Sequence, residues 1–486
     1  MHSSYFKSPP DRFRRTLTVV LAAAMLVCAS ARATPPEPQT LDVPDLPPCS
    51  TEWASQIASM SGHRRSEVTS AWLTNGVRVH HLQLETSPGV VWVTVGFAGG
   101  ELKETERDRG ISLGACAAWD QLSVSGYPPA AIPSVLTDRD VKIDAVSGAD
   151  AIQLRLVCAR SDLEAGMSVV AALLRHPRVT ETGLAATMSD GARQLRRRRM
   201  REDLIVADAI AVSLFPSGDA RLLPPTQTKL DAVTADAAQR WLDQQIATAP
   251  VEASIVGDVS LDDAMRLAAG FLGRLAPRER ISAAHLAPHR KLAQPAYPVR
   301  LELTRPIGAG EAIAVVGFPG ADATRPSELR TMRVAARILD HRMTAALVSA
   351  GFANAEVSGV AIPSTVYPGF GVVIGNFTCE PERADQAADT MMKALATLAA
   401  GGARKNEVDS AAAELAQAVE QLEHQPRYWS GNILSRCDTA GVDLDEAAGG
   451  AEFYRSLTAE KVSAAIKGAY GDGRTLHLII TSDADR

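Results

Sequence analysis

Few side chains in this sequence have the types and spacing needed to bind a metal ion or to catalyse hydrolysis. Only 10 of the 486 residues are histidines. Glu420, Glu423 and His424 fall on one face of a predicted helix, where carboxylates and an imidazole resemble a zinc motif with its first histidine replaced. A zinc enzyme needs three protein ligands plus an open coordination position. We interpret this segment as a solvated helix end.

The remaining histidine pairs are also poor candidates. His285 and His289 have the i, i+4 spacing of helical zinc ligands, but they lie in a Pro-rich segment with no third ligand nearby in the sequence. His80 and His81 are adjacent in a predicted strand, where one imidazole faces out and the other in, so we interpret them as structural. The sequence contains no Ser-His-Asp order and no phosphate-binding glycine loop.

One cationic run stands out in the first half of the chain. Residues 196–199 are all arginine, and Arg201 follows closely. Two interpretations remain open: a patch that binds an anion or an acidic peptide, and a helix face that is simply solvated.

Composition and charge exclude several classes of protein. Hydrophobic residues make up 46% and charged residues 22%, which is typical of globular domains and excludes a wholly disordered chain or one with many membrane spans. The formal net charge of −6 gives no reason to expect nucleic acid as a partner. Beyond the signal described next, five cysteines remain at wide spacing with no C-x-x-C pair: Cys49, Cys116, Cys158, Cys379 and Cys437. Their pairing stays open, and we predict Cys116 and Cys158 to be buried thiols.

The amino terminus has the three parts of a secretory signal. Arg12, Arg14 and Arg15 form a basic region, residues 17–27 are apolar, and residues 31–33 read Ala-Arg-Ala, a cleavage site. The apolar run is too short to span a bilayer. We therefore predict removal of residues 1–33 and export to the periplasm or the extracellular space, by the general or the twin-arginine route.

The chain contains an internal duplication. Residues 92–99 resemble residues 313–320, an offset of 221 residues. Thr234-Ala235-Asp236 recurs as Thr458-Ala459-Glu460, and Ile255-Val256 recurs as Ile479-Ile480, both at an offset of 224 residues. This period is far longer than that of a solenoid. The sequence therefore predicts two homologous domains in tandem.

Each copy has the same order of predicted elements, an apolar strand followed by helices and further strands. This order predicts an α+β fold in which a mostly antiparallel sheet packs helices on one face. The predicted organisation is a signal peptide, a Pro-rich leader, an N-terminal domain, a linker and a C-terminal domain, at residues 1–33, 34–65, 66–276, 277–296 and 297–486.

Several segments, taken in order, resemble the insulinase and pitrilysin type of zinc metallopeptidases, the inverted zincins. The resemblance covers about residues 66–486. Its segments are an opening strand with a Leu-x-Asn-Gly turn, a second strand that ends in Ala-Gly, a Leu-Thr segment, a closing Val-Gly-Asp strand and two Pro-Gly turns of the second copy. They lie at residues 72–79, 90–99, 230–234, 255–259, 317–320 and 367–371.

The resemblance implies two α+β halves facing each other across a chamber that holds an extended peptide. In active members the helix after the second strand carries His-x-x-Glu-His, in which both histidines bind zinc and the glutamate activates water. A more distant glutamate is the third ligand. Zinc is therefore the cofactor of active members of the family.

At the matching positions this sequence lacks every zinc ligand. Gly110-Ile111 corresponds to the pair before the motif, so Leu113 and Ala117 stand at the two histidines and Cys116 stands at the glutamate. The third ligand corresponds to a position near Arg196 or Arg197, where a cation would repel zinc. We therefore predict neither a catalytic site nor a metal site in this helix.

The second copy of active members supplies an arginine and a tyrosine that hold the substrate carbonyl. Ala350 and Asn354 stand at those positions here. The donors that would stabilise the developing oxyanion are therefore lost or changed.

The leading hypothesis from the sequence is an exported, catalytically inactive homologue that pairs with an active peptidase subunit or with a second copy of itself. Its chamber would bind unstructured peptide, and we expect no transmembrane anchor and no nucleic acid. One alternative is an active metallopeptidase with unrecognised ligands such as His80, His81 or Glu423. A second alternative is a peptide-binding protein that acts alone.

Overall fold

The computed structural model describes residues 46–216, 218–471 and 473–482. The predicted signal peptide lies outside these ranges, as does the first part of the predicted leader. Among the described residues, none of the helices combines the length and the apolar character needed to cross a membrane. The described residues belong to one compact unit.

Twelve strands form two sheets within the described residues. In chain order they are β1 (Ile57–Gly62), β2 (Thr69–Leu73), β3 (Arg78–Gln83), β4 (Val90–Ala98), β5 (Val141–Ser147), β6 (Ala151–Ala159), β7 (Val251–Gly257), β8 (Val299–Arg305), β9 (Ala312–Pro319), β10 (Ser358–Pro363), β11 (Gly371–Cys379) and β12 (Leu476–Ser482). The first sheet has the order β1-β2-β3-β7-β4-β6-β5, and the second has the order β10-β11-β9-β12-β8.

The helices fall between the strands in both halves. The first half contains α1 (Ile111–Asp120), α2 (Ala131–Leu136), α3 (Leu163–Arg175), α4 (Glu181–Arg198), α5 (Glu202–Leu214), α6 (Gln227–Asp231), α7 (Ala235–Thr248) and α8 (Leu261–Leu272). The second half contains α9 (Pro326–Ser349), α10 (Ala384–Gly401), α11 (Lys405–Glu423), α12 (Pro426–Trp429), α13 (Cys437–Ala440), α14 (Leu444–Ala447), α15 (Gly450–Arg455) and α16 (Ala459–Tyr470). A π-helix, Ser430–Leu434, lies between α12 and α13.

The two sheets have the same core topology. The order β3-β7-β4-β6-β5 in the first sheet corresponds to β8-β12-β9-β11-β10 in the second. In each sheet the first of these pairs is parallel and the others are antiparallel. The predicted α+β class with two homologous halves is confirmed.

The duplication holds at the level of single residues. Trp92 pairs with Val157 and Val256 across its two neighbouring strands. Ile313, its counterpart at an offset of 221 residues, pairs with Thr378 and Ile480. The repeated Thr-Ala-acid motif also has a local function. The Thr234 and Thr458 side chains cap α7 and α16 by accepting a hydrogen bond from the backbone N–H three residues later.

The domain boundaries differ in part from those predicted. Strand β1 lies inside the predicted leader, so the first sheet begins before residue 66. All but one of the β1 residues are exposed, and the strand has no apolar alternation that would have marked it in the sequence. The linker at residues 277–296 contains little regular structure, but it packs against both halves and buries Ile281, Leu286 and Arg290.

Each half covers one sheet face of the other half. Alternate residues of β4 and β7 turn Val95 and Ile255 toward the helices of the first half. The opposite face of that sheet packs against the segment of α12, the π-helix and α13, which belongs to the second half; Trp429, Leu434 and Cys437 are buried there. Reciprocally, α5 of the first half packs Val206, Ala209, Ile210 and Leu214 against β9 and β12.

The two exchanged segments occupy equivalent positions in the two copies of the duplication. The 224-residue offset that relates Thr234 to Thr458 also relates the start of α5 at Glu202 to the start of α12 at Pro426. The exchanged helices therefore cover, in each sheet, the face opposite that half's own helices.

Shortening one exchanged side chain should destabilise the whole chain. Ile210 of α5 is 3% exposed in the core that it shares with the second sheet. We expect Ile210→Ala to lower the free energy of unfolding by about 2–4 kcal/mol, because it removes apolar contacts and leaves a cavity. Urea denaturation followed by circular dichroism measures this change. Val348→Ala is the control, since Val348 is 52% exposed and its loss should cost less than about 0.5 kcal/mol.

Candidate functional site

Helix α1 is the element on which an inverted zincin would carry its metal. It follows β4, and the buried Glu104 carboxylate holds its amino-terminal end. The oxygens of Glu104 accept hydrogen bonds from the backbone N–H groups of Gly110 and Ser112, each at 3.0 Å, and from Arg109 Nη1 at 2.7 Å. A carboxylate at this end also complements the helix dipole. The helix is therefore held firmly, as a metal-bearing helix has to be.

The face of α1 that would bind zinc is packed with apolar groups. Cys116 and Ala117 are each 1% exposed in the first core, and Leu113 is partly buried. A Cβ atom added to Gly191 of α4 would lie 2.7 Å from Leu113 Cδ2, so the leucine occupies the space between the two helices. Leucine and alanine offer no lone pair. Burial raises the pKa of the Cys116 thiol well above its ordinary value, so Cys116 is a neutral thiol and a poor ligand.

In the structure, the α4 residue that faces Leu113 is not the one that the sequence suggested. Arg196 and Arg197 are exposed in the last turn of α4. Gly191 faces Leu113 and lies five or six residues earlier, about 8 Å along the helix axis. Gly191 has no side chain, so this position supplies no third ligand either.

The second-half positions lie apart from α1. Ala350 caps the end of α9, and Asn354 is exposed in the following turn with φ of 56°. Phe352 between them is buried in the second core, where its ring centroid is 5.5 Å from that of Phe377. Helix α1 belongs to the first core. The structure therefore does not bring Ala350 and Asn354 together with Leu113.

The acidic side chains at the end of α11 form a hydrogen bond and an ion pair with other residues. The Glu423 carboxylate accepts a hydrogen bond from the Gly450 backbone N–H at 3.1 Å, and Glu420 forms an ion pair with Arg455. His424 Nδ1 lies 2.6 Å from the Glu420 carbonyl oxygen. These groups cap helices and do not converge on a metal position.

The linker histidines and His81 also lack a shared site. His285 lies 3.6 Å from the exposed Glu279 carboxylate. The carbonyl of His289 accepts a hydrogen bond from Arg221. The imidazole of His81 donates through Nε2 to the Val259 carbonyl at 3.0 Å. Each of these contacts is local.

His80 is different, because the fold brings it to two residues that sequence reasoning did not select. Its Nε2 atom lies 3.2 Å from Glu252 Oε1 and 3.4 Å from Cys437 Sγ, and Cys437 Sγ lies 3.1 Å from Glu252 Oε1. All three side chains are buried, and this is the group of potential metal ligands found among the described residues. An acidic residue inside an otherwise apolar strand, as Glu252 is in β7, was the signal available in the sequence.

Comparisons with known proteins agree with this architecture. Residues 232–415 match the family model described as the peptidase M16 inactive domain. A peptidase M16 inactive domain from Pseudomonas fluorescens is similar in structure, with a TM-score of 0.68 and 16% identity over 85% of this chain and 98% of that one. The resemblance to the insulinase-type family is confirmed. The chain has an M16-like fold.

Two longer proteases share the M16-like fold. The periplasmic protease PqqL from Escherichia coli and the ferredoxin protease FusC, solved in complex with Arabidopsis ferredoxin, each have a TM-score of 0.69 and 16% identity. In both cases the similarity covers 98% of this chain and 51% of the protease. The M16-like chain therefore spans about half the length of these two proteins. No curated protein matches the sequence at a significant level.

The cysteines of the M16-like chain contribute no crosslink in the described residues, where all five have free thiols. Cys116 and Cys158 are buried, as predicted, and burial raises the pKa of Cys158 to about 12. Neither is a reactive thiolate.

The last residue of α1 makes the stability of the M16-like fold depend on pH. Burial raises the pKa of Asp120 from 3.8 to about 6, although its carboxylate accepts a hydrogen bond from the Ala145 N–H at 2.7 Å. The folded state thus holds a proton that the unfolded chain releases at lower pH, so the penalty grows as pH rises from about 4 to about 6 and is fully present above that. We expect Asp120→Asn to match the wild type near pH 4 and to be more stable by about 1–2 kcal/mol at pH 8.

Urea denaturation at a series of pH values measures this difference. Asp409→Asn is the matched control, because Asp409 is 55% exposed in its ion pair with Lys405. The control should change little between pH 4 and pH 8. A stability gap for Asp120→Asn that does not widen as the pH rises would contradict the assignment.

Proposed function

We propose that the chain is a non-catalytic M16-like protein that acts as a subunit beside a homologous zinc-bearing chain. The observation that carries this proposal is the packing of α1. Leu113 fills the space against Gly191, and Ala117 is buried in the core, where active family members hold zinc. A peptide bond could not reach an activated water at that position, because no metal ligand is present to hold one.

The length of the chain supports the subunit role. The similarity with PqqL and FusC covers only 51% of each protease, so each contains about two units of this size. In this chain the sheet face opposite each half's own helices is covered, by α5 in the second sheet and by α12 to α13 in the first. A chamber that encloses a peptide therefore needs a second unit, supplied by an active homologue or by a second copy of this chain.

The amino terminus supports a location outside the cytoplasm. A basic region, a short apolar run and a cleavage site at residues 31–33 have the order of an export signal. We propose that residues 1–33 are removed and that the mature chain works in the periplasm or outside the cell. Its partner would then have to carry an export signal too.

The active-peptidase alternative receives less support. The His80, Glu252 and Cys437 group is buried and faces the packed interface between the halves, so it is closed to a polypeptide substrate. The Glu423 carboxylate already accepts a hydrogen bond from the Gly450 backbone N–H at the start of α15. A catalytic zinc site requires an open coordination position that a substrate can reach.

Co-expression tests the subunit role. The chain is produced with an exported homologue that carries His-x-x-Glu-His, and the mixture is analysed by size-exclusion chromatography with light scattering. We expect a stable complex that cleaves unstructured peptides faster than the homologue alone. The control replaces the glutamate of the homologue's motif by glutamine, which should preserve the complex and abolish cleavage.

Three results would count against the proposal in different ways. A chain that stays monomeric and leaves the homologue's cleavage unchanged rules out the subunit role. Peptide crosslinking to the isolated chain, without any partner, favours a peptide-binding protein that acts alone. Chelator-sensitive cleavage by the isolated chain shows that it is an active peptidase.

A further inference from the structure

We propose that His80, Glu252 and Cys437 form a structural zinc site that joins the two halves of the chain. His80 lies on β3 and Glu252 on β7 of the first sheet, whereas Cys437 begins α13 of the second half. An imidazole nitrogen, a carboxylate oxygen and a thiolate sulfur are the three ligand types that structural and catalytic zinc sites use. The site lies on the sheet face opposite α1, so it is separate from the degenerate peptidase positions.

The three ligand atoms are arranged as zinc requires. They lie 3.1, 3.2 and 3.4 Å from one another. In a tetrahedral zinc site with bonds of about 2.0–2.3 Å, the ligand atoms lie roughly 3.3–3.6 Å apart. A metal ion therefore needs an expansion of only a few tenths of an ångström.

Two of the three ligands, His80 and Glu252, are held in place through their other polar atom. His80 Nδ1 lies 2.8 Å from Ser70 Oγ, which also contacts His63 Nε2 at 3.0 Å. Glu252 Oε2 accepts hydrogen bonds from the Thr439 N–H and from Thr439 Oγ1, at 3.0 and 2.8 Å. Such contacts orient metal ligands in known sites, and here they leave His80 Nε2 and Glu252 Oε1 directed at Cys437.

One lone pair of Glu252 remains for a metal. Oε1 accepts the Asp438 backbone N–H at 2.8 Å, which uses one of its two lone pairs. The other faces the nitrogen of His80 and the sulfur of Cys437. The Asp438 carboxylate, whose Oδ2 is 3.9 Å from His80 Nε2 and 2.6 Å from Arg78 Nε, is the nearest candidate for a fourth ligand.

The charges also balance. Glu252 and a Cys437 thiolate together carry two negative charges, which a divalent ion neutralises inside a buried interface. The thiol proton of Cys437 leaves to solvent when the sulfur–zinc bond forms. Because His80 and Glu252 are completely buried and Cys437 is 2% exposed, the site is closed and its role is to clamp α13 to the first sheet.

Cobalt binding tests the site directly. The purified full chain is stripped with a chelator, desalted and titrated with Co²⁺, because a cysteine thiolate bound to cobalt gives a charge-transfer band in the near ultraviolet. We expect one Co²⁺ per chain, with that band and the strong visible absorption of tetrahedral cobalt. One equivalent of Zn²⁺ should displace it.

Two variants assign the band to these residues. Cys437→Ser should lose the charge-transfer band and weaken binding at least 10-fold, and His80→Gln should weaken binding similarly. Cys379→Ser is the matched control, since Cys379 is a half-buried thiol on β11 in the other sheet, and it should keep both the band and the affinity. Circular dichroism confirms that each variant is folded.

The wild-type chain alone tests the proposal if a variant fails to fold. Absence of a thiolate charge-transfer band in the wild-type chain overturns the proposal without any variant. A band that persists unchanged in folded Cys437→Ser also overturns it. Zinc bound without chelator-sensitive peptide cleavage supports the site and leaves the proposed non-catalytic function unaffected.

Discussion

Replacing Asp150 by alanine is expected to lower the free energy of unfolding by about 3–5 kcal/mol. The Asp150 carboxylate is 5% exposed, and its Oδ2 atom lies 3.2 Å from Arg290 Nη2 and 2.6 Å from Arg436 Nη2. Arg290 belongs to the linker and Arg436 to the second half. Loss of the carboxylate leaves two guanidinium groups in a buried interface without their counter-charge.

The two arginines cannot simply move into water. Arg290 Nη1 donates to the Thr439 carbonyl at 2.8 Å, and Arg436 Nη2 donates to the Thr365 carbonyl at 2.7 Å. Burial lowers the pKa of Arg290, because its position disfavours the charged form, and the Asp150 carboxylate acts in the opposite direction. The Asp150 carboxylate is therefore the counter-charge for one arginine of the linker and for one arginine of the second half.

Urea denaturation of Asp150→Ala measures the loss. Asp144→Ala is the matched control, because Asp144 is 58% exposed in its ion pair with Arg155 and should cost no more than about 1 kcal/mol. Equal effects of the two substitutions would show that burial of the Asp150 network contributes nothing to stability.

Replacing Glu252 by alanine is the second substitution expected to have a large effect. Five donor groups surround this buried carboxylate: the side chains of His80 and Cys437, the backbone N–H of Asp438, and both the backbone N–H and the hydroxyl of Thr439. Each buried polar group left without a partner costs about 1–3 kcal/mol. We therefore expect Glu252→Ala to lower the free energy of unfolding by about 3–5 kcal/mol when measured in a chelator, so that bound metal makes no contribution.

Two further variants show what the carboxylate contributes. Glu252→Gln keeps the volume and one acceptor oxygen, so it should lose less stability than Glu252→Ala. Glu420→Ala removes an exposed carboxylate from its ion pair with Arg455 and should change stability by less than about 1 kcal/mol. A loss below about 1 kcal/mol for Glu252→Ala would mean that solvent replaces its hydrogen bonds at no cost.

Repeated local signals in the sequence predict much of the fold. The recurrence of Thr234-Ala235-Asp236 as Thr458-Ala459-Glu460 marks two helix caps, and the recurrence of residues 92–99 as 313–320 marks two central strands. Such signals depend on neighbouring residues only, so they survive in the sequence. The exposed strand β1 carries no such signal, and it lies within the residues predicted as leader, 34–65.

The sequence predicts only part of the candidate site. The resemblance implies that Leu113 and Ala117 stand in place of two zinc ligands, because those positions follow directly after the aligned Gly110-Ile111 pair. The α4 residue opposite Leu113 is not visible in the sequence, because an alignment across about 80 residues without strong motifs shifts easily by one or two helical turns. The structure places Gly191 there, since only a residue without a side chain leaves room for the leucine.

The sequence by itself determined the duplication and the α+β class, since both depend on residue types at short or regular spacing, whereas the replacement of metal ligands in α1 is what the family resemblance implies. Only the tertiary structure decided that α5 and the segment from α12 to α13 exchange between the halves, each covering one face of the other half's sheet. It also brought His80, Glu252 and Cys437 together from positions 172 and 185 residues apart along the chain. Contacts of that separation depend on how the completed halves pack, and no local pattern records them.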